Sequence, residues 1–353
     1  MALNRRDVLA TSGMGLIGGG LGGAFLGSAS ARCALTGARR GAWCNDLVLH
    51  LRIISPVDRT AQVERLLADD VAATHVVVFP GVARDPVGDL ITCDVAREGA
   101  STLLERLRGF GLERDGSIMM DSVDVSLSRS ADRAERRAPG FGVDAVVWEQ
   151  IEQATSEESR LSAAFLTFMA VATAIAGIGV LLDQPILIVG AMVVGPEFGP
   201  LAALCVGLVR RRASLSGRAL AALTVGFPVG MAVTVLTTWL LDAIGLTSRE
   251  MLLADRPLTS FIWQPDALSW VVGFLAGIAG MLSLTSAKAG TLVGVLISVT
   301  TVPAAANAAV ALAYGVTDEA AGSAVQLFVN LAAIVVAGVL TLLVQRVAWR
   351  RHR

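Results

Sequence analysis

Charged residues are scarce in this sequence. Asp, Glu, Lys and Arg make up only 17% of the 353 residues and hydrophobic residues make up 54%, whereas an ordinary soluble domain has about 25% charged residues. The shortage is concentrated between Leu161 and Val344, where long apolar runs are broken by only a few charges. The composition before Arg160 is that of a globular protein, so we place the main domain boundary there.

The residues that several kinds of chemistry require are also missing. The four cysteines form no CxxC pair and the three histidines are dispersed, which argues against a disulfide framework and against a zinc or other metal site. A net charge of -1 does not favour a nucleic-acid partner. The apolar runs contain no Ser/His/Asp set, HExxH motif or paired aspartates. We therefore predict no catalytic residues, no cofactor and no enzyme activity.

Residues 1–45 have two interpretations. Arg5-Arg6, a glycine-rich apolar stretch and Ala29-Ser30-Ala31 together resemble a twin-arginine export signal. However, the eight glycines from Gly13 to Gly27 make a weak apolar helix, and export would oppose the charge bias described below. We favour a poorly ordered extension or a mis-assigned start.

Residues 46–127 alternate between strand and helix patterns. Apolar alternation and β-branched residues predict the strands, one of which ends at the turn signal Pro80-Gly81, and helical spacing of Leu and Val predicts the helices. The predicted strands are 47–55, 75–79, 89–95 and 118–127, and the predicted helices are 60–67 and 101–110. The order βαββαβ predicts a ferredoxin-like α+β domain. Both a small-molecule sensor and a docking or oligomerisation module remain open for it.

Residues 128–160 join this domain to the apolar region. The first part is a polar linker containing Pro139 and Gly140, and a helix is predicted from Asp144 to Arg160.

Residues 161–346 contain six apolar segments, each near the roughly 20 residues that a membrane-spanning helix needs. They are Leu161–Leu182, Gln184–Val209, Ala219–Leu241, Ala267–Ala287, Ala289–Ala313 and Gly322–Val344. Alternating spans place nearly all flanking basic residues on one side, including the cluster Arg210-Arg211-Arg212 and the basic tail 347–353. The positive-inside rule then places both termini, and the N-terminal domain, in the cytoplasm of a multi-pass protein of the cell membrane.

The apolar region shows weak internal repetition. Ile175-Ala176-Gly177 recurs 103 residues later as Ile278-Ala279-Gly280, and Pro200-Leu201-Ala202-Ala203 recurs at the same offset as Pro303-Ala304-Ala305-Ala306. Repeats of three spans each must be inverted relative to one another, which is a transporter architecture. Chance similarity of Ala/Gly-rich segments is the alternative.

The second and fifth predicted spans carry helix-breaking and polar residues. Proline removes a backbone donor, and the polar groups that a break frees cannot face lipid. An ionisable residue inside such a break is a candidate for binding a cation or a proton; a structural carboxyl group bonded to freed backbone groups is the alternative. The candidate substrate or ion-binding residues are Gly195, Pro196, Glu197, Gly199 and Pro200 in the second span and Ser298, Thr300, Thr301, Pro303 and Asn307 in the fifth.

The second span also carries a family resemblance. Gly190-Ala-Met-Val-Val-Gly-Pro-Glu-Phe-Gly-Pro200 following Asp183, the entry Glu158-Ser159 and the basic loop after Val209 resemble the domain of unknown function 389 (DUF389) family. The resemblance extends back to about His50, whereas residues 1–45 depart from the family pattern. It implies a multi-span membrane protein with a cytoplasmic domain and supplies no substrate.

Two classes of function remain. The first is a transporter or channel for a small molecule or ion, with the broken spans as its site. The second is a membrane-anchored sensor or scaffold, in which the N-terminal domain binds a ligand or partner. The lipid bilayer is the expected environment and a homo-oligomer the expected assembly.

Overall fold

The structure, a computed structural model, describes residues 48–123, 128–137, 146–264, 266–286 and 301–351. Segment 1–45, with its twin-arginine and mis-assigned-start interpretations, lies outside the described residues. So do most of the linker around Pro139, Ser298 and Thr300.

The N-terminal domain is a four-stranded antiparallel sheet with helices between its strands. Its elements are β1 (Val48–Ser55), α1 (Val57–Asp69), β2 (Ala73–Arg84), β3 (Val87–Ala96), α2 (Arg97–Arg108), α3 (Leu112–Asp115) and β4 (Ser117–Ser122). The strand order is β2-β3-β1-β4. Leu51 and Ile53 of β1 and Leu103 and Leu107 of α2 are completely buried in one hydrophobic core.

Two local features differ from the sequence-based expectations. Strand β2 does not end at Pro80-Gly81 but continues to Arg84, because a register shift between Phe79 and Ala83 absorbs the turn residues, with Gly81 at φ +64°. The predicted polar linker contains a helix, α4 (Arg129–Arg137), which buries Ala131 and Ala134 and contacts β2 and β3.

A connecting helix leads into the apolar part of the chain, which is entirely helical where described. The helices are α5 (Trp148–Glu158), α6 (Ala163–Leu181), α7 (Pro185–Val194), α8 (Phe198–Arg210), α9 (Ala213–Ala243), α10 (Arg249–Leu253), α11 (Ala267–Thr285), α12 (Thr301–Ala313) and α13 (Thr317–Arg351), with a 3-10 turn at Ser260–Ile262.

Four of these helices, α6, α9, α11 and α13, are long and apolar enough to cross a membrane, and the bent pair α7–α8 makes a fifth candidate. The predicted fifth span, Ala289–Ala313, is described only from Thr301, and α12 alone is shorter than a span. The described residues therefore give four to five candidate spans, rather than the six predicted.

The long apolar helices pack in pairs. Helix α6 packs against α9, and α11 packs against α13. Helix α12 is buried between α6, α9 and α13, while α8 lies between α9, α13 and the connecting helix α5. Close packing depends on small residues: at Gly277 a Cβ atom would lie 2.7 Å from the Ile334 carbonyl oxygen.

Candidate functional site

The second predicted span is broken where its sequence indicated. Helix α7 ends at Val194, α8 begins at Phe198, and their axes differ by 52°. Pro196 has no N–H, so the Met192 carbonyl loses its helical donor, and Gly195 takes an extended conformation at φ -63° and ψ 128°. The break frees backbone oxygen atoms inside an apolar bundle.

Glu197 lies in this break and is 3% exposed. The Thr301 hydroxyl at the start of α12 donates to Glu197 Oε1 at 3.0 Å. Glu197 Oε2 is buried and has no hydrogen-bond partner among the described residues. This carboxyl group is thus held by one hydroxyl from the other half of the bundle, with one oxygen atom left over.

Gly195 is part of the same site through its lack of a side chain. A Cβ atom there would collide with Glu197 Oε2 and lie 2.9 Å from a methyl group of Val302. Glycine at this position lets the carboxylate and α12 approach the broken backbone.

Gly199 and Pro200 have a different neighbour. Both lie in the first turn of α8, where proline is tolerated, and both are buried. A Cβ atom on Gly199 would lie 2.6 Å from Cβ of Glu158 in the connecting helix α5. Gly199 therefore packs α8 against α5, whereas Gly195 packs against the Glu197 carboxylate.

Pro303 and Asn307 also differ from expectation. Pro303 lies in the first described turn of α12 and does not interrupt the described part of that helix. Asn307 is six residues after Thr301, which places it about 120° away around the helix, and its amide donates to Ser323 Oγ on α13 at 2.7 Å. The structure therefore brings Thr301, but not Asn307, to Glu197.

Asn307 belongs to a second buried polar group that the sequence analysis missed. Arg256 forms an ion pair with Glu319 at the start of α13 and donates to Asn307 Oδ1 at 3.4 Å. Both charged side chains are only 6% exposed. Both residues lie between the predicted spans and are not among the predicted site residues.

Polar residues continue along α13 from this ion pair. Glu319, Ser323, Gln326 and Asn330 are all buried, at 6%, 0%, 1% and 2% exposure. Their spacing of four, three and four residues places them on one helix face. That spacing was visible in the sequence, within a segment that was interpreted only as an apolar span. We call these four residues the polar stripe.

The connecting helix α5 joins the sheet domain to α8. Val147 is buried in the core of the sheet domain, whereas its neighbours Val146 and Trp148 are buried in a cluster with Phe198 and Val206 of α8. A short segment of chain thus takes part in both hydrophobic cores.

Ion pairs reinforce this junction. Glu149 accepts a hydrogen bond from Ser101 at 2.8 Å and lies 3.4 Å from Arg108, both on α2, and 3.7 Å from Arg210 at the end of α8. The Arg210 guanidinium also lies 5.7 Å from the Trp148 ring centre. A polar cavity of about 460 Å³ opens beside this network and is lined by Arg108, Glu149, Glu152, Gln153, Ser156, Glu157, Arg160 and Arg218.

In the described part of the chain, no three His, Cys, Asp or Glu side chains are grouped so that they could hold a metal ion. No curated protein and no solved structure matches the chain. A family model described as "Domain of unknown function (DUF389)" matches residues 192–336. The match begins inside the motif of the broken span and does not extend back to His50, so the sheet domain and α5 lie outside it. The resemblance inferred from the Gly190–Pro200 segment is confirmed for the helical region, and the chain carries a DUF389 domain at residues 192–336.

Proposed function

We propose that this chain is a membrane transporter that binds a small cation or a proton at Glu197. The observation that carries the proposal is the buried Glu197 carboxylate at the helix break, with Oε2 unpartnered among the described residues. Ionisable residues at such depth are costly and usually serve function.

The surroundings of Glu197 suit a positive ligand. Its Oε2 atom, the Thr301 hydroxyl and the backbone carbonyls freed at the end of α7 are all oxygen acceptors. A bound proton or a small hard cation would neutralise the carboxylate, and its release would restore the negative charge.

The proposal includes two inverted repeats of three spans each. Its support is that Glu197 and Thr301, which touch, are 104 residues apart, close to the 103-residue offset of the repeated runs. Matching positions of two inverted repeats meet near the pseudo-two-fold axis, where transporter sites lie. The pairing of α6 with α9 and of α11 with α13 agrees with this arrangement.

The remaining parts of the proposal follow the sequence. The positive-inside rule supports a cytoplasmic-membrane protein with both termini in the cytoplasm. The element order and strand order of the sheet domain support a ferredoxin-like unit. We further infer a homo-oligomer without enzyme activity.

Cation flux into proteoliposomes tests the proposal. The purified full chain would be reconstituted into liposomes that enclose a dye for Na⁺, K⁺ or H⁺. A gradient of the same ion would then be imposed, and its entry measured by the dye. We expect one gradient to drive flux above that of empty liposomes, and Glu197→Gln to abolish it. Glu250→Gln is the matched control, because Glu250 is an exposed carboxylate. Flux that survives Glu197→Gln unchanged would remove Glu197 from the transport cycle.

The alternative function is a membrane-anchored sensor or scaffold. One observation favours it: Val147 and Trp148 tie the sheet domain directly to α8, so a ligand of the sheet domain could act on the broken span. If no cation gradient drives flux, while a small-molecule ligand raises the melting temperature of the full chain, the alternative replaces the transporter.

A further inference from the structure

The polar stripe runs deep into the helix bundle. From Glu319 to Asn330 it covers twelve residues, whose ends are about 16 Å apart along the helix axis, which is about half of a 30 Å hydrocarbon core. Its Gln326 Oε1 atom is buried without a partner among the described residues. Buried amide groups without a hydrogen bond are expensive in an apolar surrounding, so the oxygen atom of Gln326 in particular calls for an explanation.

The row is not part of the scaffold shared by the two halves. At an offset of 103 residues, the positions that match Ser323, Gln326 and Asn330 are Leu220, Leu223 and Phe227 on α9. Leu223 and Phe227 are buried, whereas Leu220 is 52% exposed, so two of the three matching positions pack with apolar side chains. Helix packing alone therefore does not require polar side chains at these positions, although Ser323 also joins α13 to α12 by accepting from Asn307.

The stripe begins at one end of the bundle, beneath the connection 244–264. Arg256, from this connection, covers the first stripe residue, Glu319, through their ion pair. Nearby, the Thr259 hydroxyl donates to Asp183 Oδ1 in the α6–α7 turn at 2.8 Å. The connection is thus fastened at two points across this end of the bundle.

The ion pair is able to open. Arg256 lies on an irregular segment between α10 and the 3-10 turn, whereas Glu319 is fixed in the first turn of α13. Arg256 Nε is buried without a partner among the described residues, so the guanidinium is incompletely satisfied where it is. Moving the segment would remove the positive charge and leave the Glu319 carboxylate at the mouth of the stripe.

We propose that the polar stripe is the entry pathway for a small cation and that the Arg256–Glu319 ion pair is its gate. This inference rests on the proposed function, since it supplies the route by which the cation enters the bundle. In the closed state, Arg256 neutralises Glu319 and repels cations. In the open state, Glu319 attracts them, and the oxygen atoms of Ser323, Gln326 and Asn330 replace part of their hydration.

Cysteine labelling in the full chain tests the pathway without knowledge of the cation. The parent protein carries Cys33→Ser and Cys44→Ser and keeps the two buried cysteines. Burial raises the pKa of the Cys93 thiol to about 12, and Cys205 is completely buried, so both should react slowly. Single cysteines at Ser323 and Gln326 are compared with matched cysteines at Val325 and Phe328, exposed positions of the same helix at similar depth.

The probes are two methanethiosulfonates, one with a trimethylammonium group and one with a sulfonate. We expect Ser323→Cys and Gln326→Cys to react faster than the two controls, and Arg256→Gln to accelerate them further. Because Glu319 is then uncompensated, Arg256→Gln should favour the cationic over the anionic reagent by roughly tenfold. Arg256→Lys, which keeps the ion pair, should leave labelling at the parent level and shows that the effect does not come from misfolding.

Specific results would overturn the proposal. A water-filled pathway would be excluded if cysteines at Ser323 and Gln326 reacted no faster than cysteines at Val325 and Phe328. This result would have to hold both in the parent protein and in Arg256→Gln. Equal rates for the two reagents in Arg256→Gln would exclude cation selection. If labelling fails while flux still depends on Glu197, the pathway alone is wrong. If labelling is as expected while no gradient drives flux, the transport function alone is wrong.

Discussion

Glu197 and Glu319 are both almost completely buried in the helical part of the chain, at 3% and 6% exposure, but their surroundings differ. Glu319 faces the guanidinium of Arg256, which also reaches Asn307. Glu197 has one hydroxyl, from Thr301, and an oxygen atom with no partner in the described structure. The negative charge of Glu319 is balanced within the chain, whereas that of Glu197 is not.

This difference separates two roles of a buried carboxylate. A paired, buried carboxylate is stable only while its counter-charge stays beside it. Removing the counter-charge, or separating the pair, therefore costs a large free energy. A carboxylate without a counter-charge must take a proton or a cation from outside, so its occupancy depends on solution conditions. On this basis, Glu319 suits a gate and Glu197 suits a binding site.

The largest effect should come from breaking the ion pair on one side only. Arg256→Met leaves Glu319 charged, buried and alone, which should lower the free energy of unfolding by about 3–5 kcal/mol. Chemical unfolding in detergent micelles measures this. The double variant Arg256→Met/Glu319→Leu should recover most of the loss, because no charge remains. If the single and double variants lose the same free energy of unfolding, the uncompensated charge of Glu319 is not the cause of the loss.

A smaller loss should follow from filling the space beside Glu197. The added methyl group of Gly195→Ala would collide with Glu197 Oε2 and press on Val302, so we expect a cost of about 1–3 kcal/mol together with loss of flux. Gly190→Ala is the matched variant, within the helix α7 that ends just before Gly195. No atom lies within 4 Å of the new Cβ, so this variant should be neutral or stabilising by up to about 1 kcal/mol. Similar melting temperatures for the two variants would contradict the close approach at Gly195.

Local sequence signals predicted the break but not the ion pair. Proline and glycine act on their own backbone, so Gly195 and Pro196 indicate the end of α7 without any knowledge of neighbours. The burial of Arg256 depends on how the connection 244–264 folds back onto α12 and α13, and no local pattern carries that information. The spacing of Glu319, Ser323, Gln326 and Asn330 on one helix face was available, but mean hydropathy hides such a row within an apolar span.

The same distinction holds for the sheet domain. Alternating apolar residues predicted its element order, because burial on one face of a strand imposes a period of two. The continuation of β2 beyond Gly81 was not predictable, since it depends on pairing with β3 across a register shift. Gly199 was assigned to the ion site from its place in the motif, whereas packing against Glu158 of the connecting helix accounts for it.

Removing the hydrogen bond between Thr301 and Glu197 should have a moderate effect. Thr301→Val keeps the shape of the side chain but loses the hydroxyl that donates at 3.0 Å, at an expected cost of about 0.5–1.5 kcal/mol. Thr301→Ser restores a donor and is the matched variant. We also expect Thr301→Val to weaken cation-driven flux more than Thr301→Ser does. If Thr301→Val and Thr301→Ser have the same free energy of unfolding and the same flux, the hydroxyl takes no part in holding Glu197.

The smallest effect should come from Glu158, a carboxylate at the edge of the bundle. Its environment is a third one to compare with those of Glu197 and Glu319. Partial burial against α8 raises the pKa of Glu158 above its usual value. Because the folded state then holds this proton more tightly than the unfolded state, its contribution to stability is greatest at low pH and falls as pH rises through the two pKa values. Glu158→Gln should reduce the fall in melting temperature as pH rises through the pKa of Glu158, while Glu157→Gln at the exposed neighbouring position should not. The change should be slight, since the side chain keeps contact with water. An unaltered pH profile in Glu158→Gln would mean that packing against Gly199 does not desolvate the carboxylate.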